Sequence, residues 1–206
     1  MCYYSSTQLA AVRYQNYKFV YYASAPGATG WFQPLVPLHW TASLDGYITP
    51  LDRGLSWLEP FESSEEDYGD ADFYRSIDAV LVGSQTFKQA SQFPQWPYPD
   101  KLCWVFSRQR LSVSLPHVFV TDQRPEEVVA ELDRRGCQRA WLVGGGQLAG
   151  SFRAQSLITE YIVAVIPVLL GAGVPLFGSP APAERLRLVA SKVYPLGLVQ
   201  LHYLRD

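Results

Sequence analysis

The residues with the clearest chemical use are Gly144-Gly145-Gly146-Gln147-Leu148, which follow the apolar run Ala140-Trp141-Leu142-Val143. Glycines let the backbone turn sharply and approach a ligand closely. A helix starting at such a turn offers unpaired N–H groups and a partial positive charge, which suits a pyrophosphate. The run is neither GxGxxG nor a P-loop, because no Gly-Lys-Ser/Thr follows. Alone, it reads equally as a tight strand-to-helix turn with no ligand. Three more polar turns follow apolar runs. Thr41-Ala42-Ser43-Leu44-Asp45-Gly46-Tyr47 carries a carboxylate that serves either a ligand or the backbone of its own Asp-Gly turn. Val82-Gly83-Ser84-Gln85-Thr86 offers a hydroxyl to a phosphate or as a helix cap. In Phe106-Ser107-Arg108 the serine and arginine could grip a phosphate, or the arginine is simply solvated. In a parallel sheet all four turns fall at one edge, where they could line one long groove.

The elements that must position these turns alternate. Strands are expected at Leu38 to Ala42, Asp78 to Val82, Leu102 to Phe106, Val118 to Val120, Ala140 to Val143 and Glu160 to Val168. Helices are expected within Glu65 to Ile77, at Thr86 to Ser91, from Pro125 to the Arg134-Arg135-Gly136 stop, and from about Gln147 to Gln155. Two last strands, around Leu186 to Ser191 and Leu198 to Leu204, are close enough in sequence to pair antiparallel. Strand–helix alternation implies an α/β fold, a mostly parallel sheet covered on both faces with an antiparallel C-terminal edge.

Composition narrows the function classes. With 48% apolar residues in 206, the chain can bury a sizeable core. A net charge of −2 gives no basic excess for nucleic acid or a membrane surface. No apolar stretch reaches the length of a membrane span, and the tyrosine-rich N-terminus does not read as a signal peptide. Three scattered cysteines without a CxxC or Cys/His cluster argue against disulfides and structural zinc, and fit the cytoplasm. His39, His117 and His202 lie far apart and form no metal site or triad. Residues 1–35 lack periodicity and end in Pro26-Gly27-Ala28-Thr29-Gly30. They read as a poorly packed extension or a start-site artefact preceding a domain over 36–206.

Taken in order, these pieces resemble the dihydrofolate reductase-like family. They are Ala42-Ser43-Leu44-Asp45-Gly46, Trp57, Asp78 to Gly83 with Thr86, Trp104-Val105-Phe106-Ser107-Arg108, Gly144 to Leu148, and Pro167-Val168-Leu169-Leu170-Gly171 with Gly173, Pro175, Leu176 and Phe177. The nearest branch is the reductase domain of the bifunctional riboflavin deaminase-reductase. The resemblance implies a three-layer sandwich on a sheet of about eight strands, NADPH as cofactor, and a homodimer. It implies that Gly144, Gly145, Gly146, Gln147 and Leu148 cradle the pyrophosphate, with Gly83 and Thr86 beside it. Ser107 and Arg108 would meet the adenosine end and its 2′-phosphate. Thr41, Ala42 and Trp57 would lie near the nicotinamide, and Asp45 and Tyr47 would face the substrate, with Asp45 as a possible proton source.

Two departures shape the expected activity. Gly83-Ser84-Gln85-Thr86 stands where dihydrofolate reductases carry Gly-Arg-x-Thr, so Arg108 would take over part of the phosphate grip. No helix carboxylate for a pterin is identifiable, since Glu62, Glu65, Glu66, Asp67 and Asp72 read as a solvated helix start. The expectation is therefore an NADPH-dependent reductase of a small heterocyclic or carbonyl substrate. A riboflavin-pathway pyrimidine reductase is a variant of that reading, and a non-catalytic NADP(H)-binding sensor is the rival.

Overall fold

The computed structural model describes residues 34–52, 54, 56–61, 68–178 and 180–206. The expected extension lies outside the described residues except for its last two. Of these, Leu35 already belongs to the sheet: its N–H bonds the Gln138 carbonyl at 2.8 Å and its carbonyl accepts Ala140 N–H at 2.9 Å.

Ten strands form: β1 (Pro37–Ser43), β2 (Tyr47–Thr49), β3 (Ala79–Gly83), β4 (Leu102–Phe106), β5 (Val118–Thr121), β6 (Ala140–Gly144), β7 (Glu160–Ile166), β8 (Val174–Pro175), β9 (Leu186–Val193) and β10 (Val199–Arg205). The helices are α1 (Asp70–Ser76), α2 (Ser84–Ala90), α3 (Pro125–Arg134) and α4 (Gly146–Ala154). Eight strands make one sheet in the order β5-β4-β3-β6-β1-β7-β10-β9. β5 through β7 are parallel, and β10 runs antiparallel to both of its neighbours. β2 and β8 pair with each other as a small ribbon apart from the main sheet.

The central strands are continuous apolar runs because both faces are covered. Side chains alternate between faces. Ala79 and Leu81 of β3 join a core with Val128 and Leu132 of α3 and Phe152 of α4. Val80 and Val82 join the opposite core with Phe73 of α1 and Phe87 of α2. The result is a three-layer sandwich.

Local chemistry sets the helix ends. Pro125 opens α3, where its missing N–H has no intrahelical partner to lose, and Glu127 accepts the Arg124 N–H at 2.8 Å. α2 begins at Ser84, two residues before the expected Thr86, so Thr86 sits in its first turn rather than capping it. The helix expected within 65–77 is described only from Asp70, and Glu62, Glu65, Glu66 and Asp67 lie outside the described residues. Asp72 is exposed and pairs with Arg75.

Two irregularities matter. In β6, Leu142 pairs with Leu81 but Gly144 pairs with Val82, so Val143 is one residue too many for its neighbour. At the amino end of the strands, buried Arg139 is ion-paired with buried Glu160 and also bonds the Ser76 hydroxyl at 2.6 Å. His39 and His202 are buried nearby.

Candidate active site at the carboxyl edge of the sheet

β6 delivers the glycines to the carboxyl edge of the sheet, and they turn directly into α4. Gly145 takes φ +88°, a conformation that disfavours any side chain. It occupies the N-cap position of α4 with no side-chain cap, so the first-turn N–H groups are left for something else. The turn is tightly packed from behind. A Cβ on Gly144 would stand 3.4 Å from the Thr86 hydroxyl, one on Gly83 3.4 Å from the Gly144 carbonyl, and one on Gly146 3.3 Å from the Pro175 carbonyl. The positive φ is what calls for glycine, at Gly145, and Gly145, Gly146 and Gln147 of the uncapped helix start border open space.

That space is a groove of about 1400 Å³. It is lined by Thr41, Gly83, Thr86, Ser107, Arg108, Gly144, Gly145, Gly146, Gln147 and Leu148 together. Three of the strand-end turns therefore share one cavity, and the stretch after β1 reaches it through Thr41 and Ile48 but not through its turn residues. Arg108 is exposed at its lip and forms no ion pair with a described residue. The Ser107 hydroxyl is engaged within its own turn, donating to the Gln109 carbonyl at 2.8 Å and accepting its N–H at 3.1 Å.

Four of the expected site residues do not line the groove. Ala42 is buried in the sheet core. Trp57 packs against the cluster of Tyr68, Ala164, Ile166, Tyr194 and Leu198. Tyr47 pairs with Pro175 in the ribbon. Asp45 has a different employment: its carboxylate accepts the Ser43 hydroxyl at 2.5 Å and the N–H groups of Leu170 at 3.1 Å and Gly171 at 2.7 Å. The Ser43 hydroxyl, followed by these N–H groups, holds the Asp45 carboxyl below its usual range. A carboxylate so occupied is poorly placed to give a proton to a substrate.

Other residues complete the lining of the groove. Trp40, Leu58, Glu59, Tyr74 and Tyr98 also line it and are not among the expected site residues; Trp141, which leads into the glycine run, lines it too. Trp40 is fixed by its indole N–H to the Leu142 carbonyl at 3.0 Å. The Tyr74 hydroxyl donates to Asp100, and burial followed by that carboxylate pushes its pKa up, so it stays protonated. The one available signal was adjacency: Trp141 lies three residues before the glycines, and Trp40 precedes Thr41.

No group of three or more His, Cys, Asp or Glu among the described residues could hold a metal ion, and no described helix is long and apolar enough to cross a membrane. Cys103 and Cys137 are buried free thiols, and burial raises Cys103 to about 12.

Sheet order, layers and edge groove define a protein of dihydrofolate reductase-like fold. Residues 34–200 match the model of the RibD C-terminal domain, and the chain belongs to that family. It is 37% identical over 169 residues to the uncharacterized protein YwjB of Bacillus subtilis, covering 82% of this chain and 96% of that one. A structure from Shewanella sp. PV-4, ascribed to riboflavin biosynthesis, superposes with a TM-score of 0.76 at 28% identity, covering 84% of this chain and 99% of that one. Dihydrofolate reductase of Enterococcus faecalis, solved with NADP(H), shares the fold at TM-score 0.56 and 15% identity, with 85% and 98% covered.

Proposed function

We propose that this protein is an NADPH-dependent reductase acting on a small heterocyclic or carbonyl substrate. The observation that carries the reading is the Gly144-Gly145-Gly146 turn, which presents an uncapped helix start to a groove shared with Thr86 and Arg108. When bound, NADPH supplies a hydride. Gly145 and Gly146 let the α4 N–H groups meet the pyrophosphate, and the Thr86 hydroxyl stands against that turn. Arg108, free of a described carboxylate, answers a 2′-phosphate and favours NADPH over NADH. Trp40, Leu58 and Trp141 line the groove with apolar surface that excludes water. No side chain need act as a nucleophile. The family and the Enterococcus relative crystallised with NADP(H) support the reading. A cytoplasmic homodimer is the assembly proposed with it.

NADPH titration tests it directly. Trp40 and Trp141 line the groove, so binding should quench tryptophan fluorescence. Loss of reduced-nicotinamide absorbance with dihydrofolate, the pyrimidine ribotide of riboflavin synthesis or quinones then separates the substrate classes. Absence of quenching at millimolar NADPH would overturn the reading.

A further inference from the structure

The segment Pro167 to Pro175 has no part in the groove chemistry above except through Val174, yet the fold uses it closely. Leu44 N–H bonds the Val168 carbonyl at 2.9 Å, and Leu176 N–H bonds the Gly46 carbonyl at 2.8 Å. Between these two ties lie the Asp45 bonds to Leu170 and Gly171, which cross 125 and 126 residues of sequence. Gly171 turns the loop at φ +71°. A Cβ on Gly173 would fall 2.2 Å from the Thr49 carbonyl, so the loop is pressed backbone to backbone onto β2.

The ribbon held in this way has two working surfaces. Ile48, Thr49 and Val174 line the groove. The Pro175 carbonyl backs Gly146, close to where its Cβ would be. One side of the ribbon is thus a groove wall, and its end supports the glycine turn. Asp45 itself does not line the groove.

We propose that Asp45 is a positioning residue: by clamping the Leu170 and Gly171 N–H groups it holds the β2–β8 ribbon in place as the wall of the groove and the backing of the Gly146 turn. The proposal rests on the NADPH reading of that groove. It also accounts for two sequence features with one device. The Asp45-Gly46 turn and the Leu170-Gly171-Ala172-Gly173 segment are the halves of one clamp. The carboxylate is needed because three donors converge on it. In Asp45→Asn one oxygen becomes an NH₂ that cannot accept, so at least one tie is lost.

The test combines backbone amide hydrogen exchange with NADPH titration by tryptophan quenching, on the full chain. Asp45→Asn should speed exchange in residues 46–50 and 170–176 by about tenfold or more, leaving β1, β6 and β7 protected. It should weaken NADPH binding by roughly fivefold or more through the lost preorganisation. Ser43→Ala, which removes one of the three donors and also the acceptor of the Tyr47 N–H at 3.0 Å, should speed exchange in residues 170–176 and weaken NADPH by less than Asp45→Asn does. If Asp45→Asn does not fold, Ser43→Ala decides on exchange in residues 170–176, because its other lost bond, from the Tyr47 N–H, falls within residues 46–50. Unchanged ribbon exchange overturns the clamp, and so does faster exchange with NADPH affinity within about twofold of wild type. A wild-type protein showing no quenching overturns the NADPH reading instead, and the exchange comparison by itself then upholds or overturns the clamp.

Discussion

Thr86 and Gly144 stand directly against each other: a Cβ at 144 would lie 3.4 Å from the Thr86 hydroxyl, at contact distance. The helix that carries Thr86 and the strand that carries Gly144 meet at the point where the phosphate site is proposed. Substitutions at the next position, Gly145, should therefore act on binding first. Gly145→Val puts a β-branched side chain at φ +88° and into the path of a ligand backbone contact. Expected is loss of NADPH quenching by about a hundredfold in affinity, roughly 3 kcal/mol, with native circular dichroism retained. Wild-type affinity in that variant would remove the main support for the site.

Arg108→Ala should weaken NADPH by about tenfold and leave NADH nearly unchanged, because one charge-assisted contact to the 2′-phosphate is lost. Parallel titrations with the two cofactors read the ratio. An unchanged preference would assign the 2′-phosphate to another residue.

The buried pair Arg139–Glu160 predicts an asymmetry in stability. Glu160→Ala leaves the Arg139 guanidinium buried without its carboxylate and should cost about 3–5 kcal/mol in urea denaturation. Replacing both at once, Arg139→Met with Glu160→Leu, should recover most of that loss. If the double variant is as unstable as the single one, shape rather than charge is what the pair supplies.

Acid should destabilise the protein through His39. Burial, then Arg139 and His202, hold its pKa well below the ordinary histidine value, so the folded chain keeps it neutral. Below about pH 6.5 the unfolded chain gains a proton that the folded one refuses. Stability is therefore full above that pH and falls on acidification, by up to about 1.4 kcal/mol per pH unit for this histidine. His202 shifts the same way, burial outweighing the opposing pull of Glu160. Denaturation midpoints of wild type and His39→Leu between about pH 5 and 7 should show a shallower slope in the variant. Equal slopes would place the acid sensitivity elsewhere.

Much of this fold was legible because its signals are local. β4 has the bounds read from its apolar run, Leu102–Phe106. α3 starts at Pro125 and stops before Gly136, as its proline, acids and glycine require. The convergence of Thr41, Thr86, Arg108 and Gly145 on one groove follows from parallel-strand geometry. What stayed hidden depends on distant partners or very short elements. β2 and β8 have three and two residues, too few to show a period. The employment of Asp45 is decided by N–H groups far along the chain, which no turn motif encodes. Of the two uses the sequence leaves open for Thr86, the cap is excluded because α2 begins at Ser84 after Gly83, which has no side chain to announce it.

The surplus residue in β6 carries the glycine turn one position further than an even ladder with β3 would. Deleting Val143 would bring β6 into even step with β3 and leave a more regular ladder, while pulling the glycine turn back by one position and reversing which way its peptides point. A shortened chain of that kind also loses Val143 from the Phe73 cluster and from the groove wall, and should take up no NADPH.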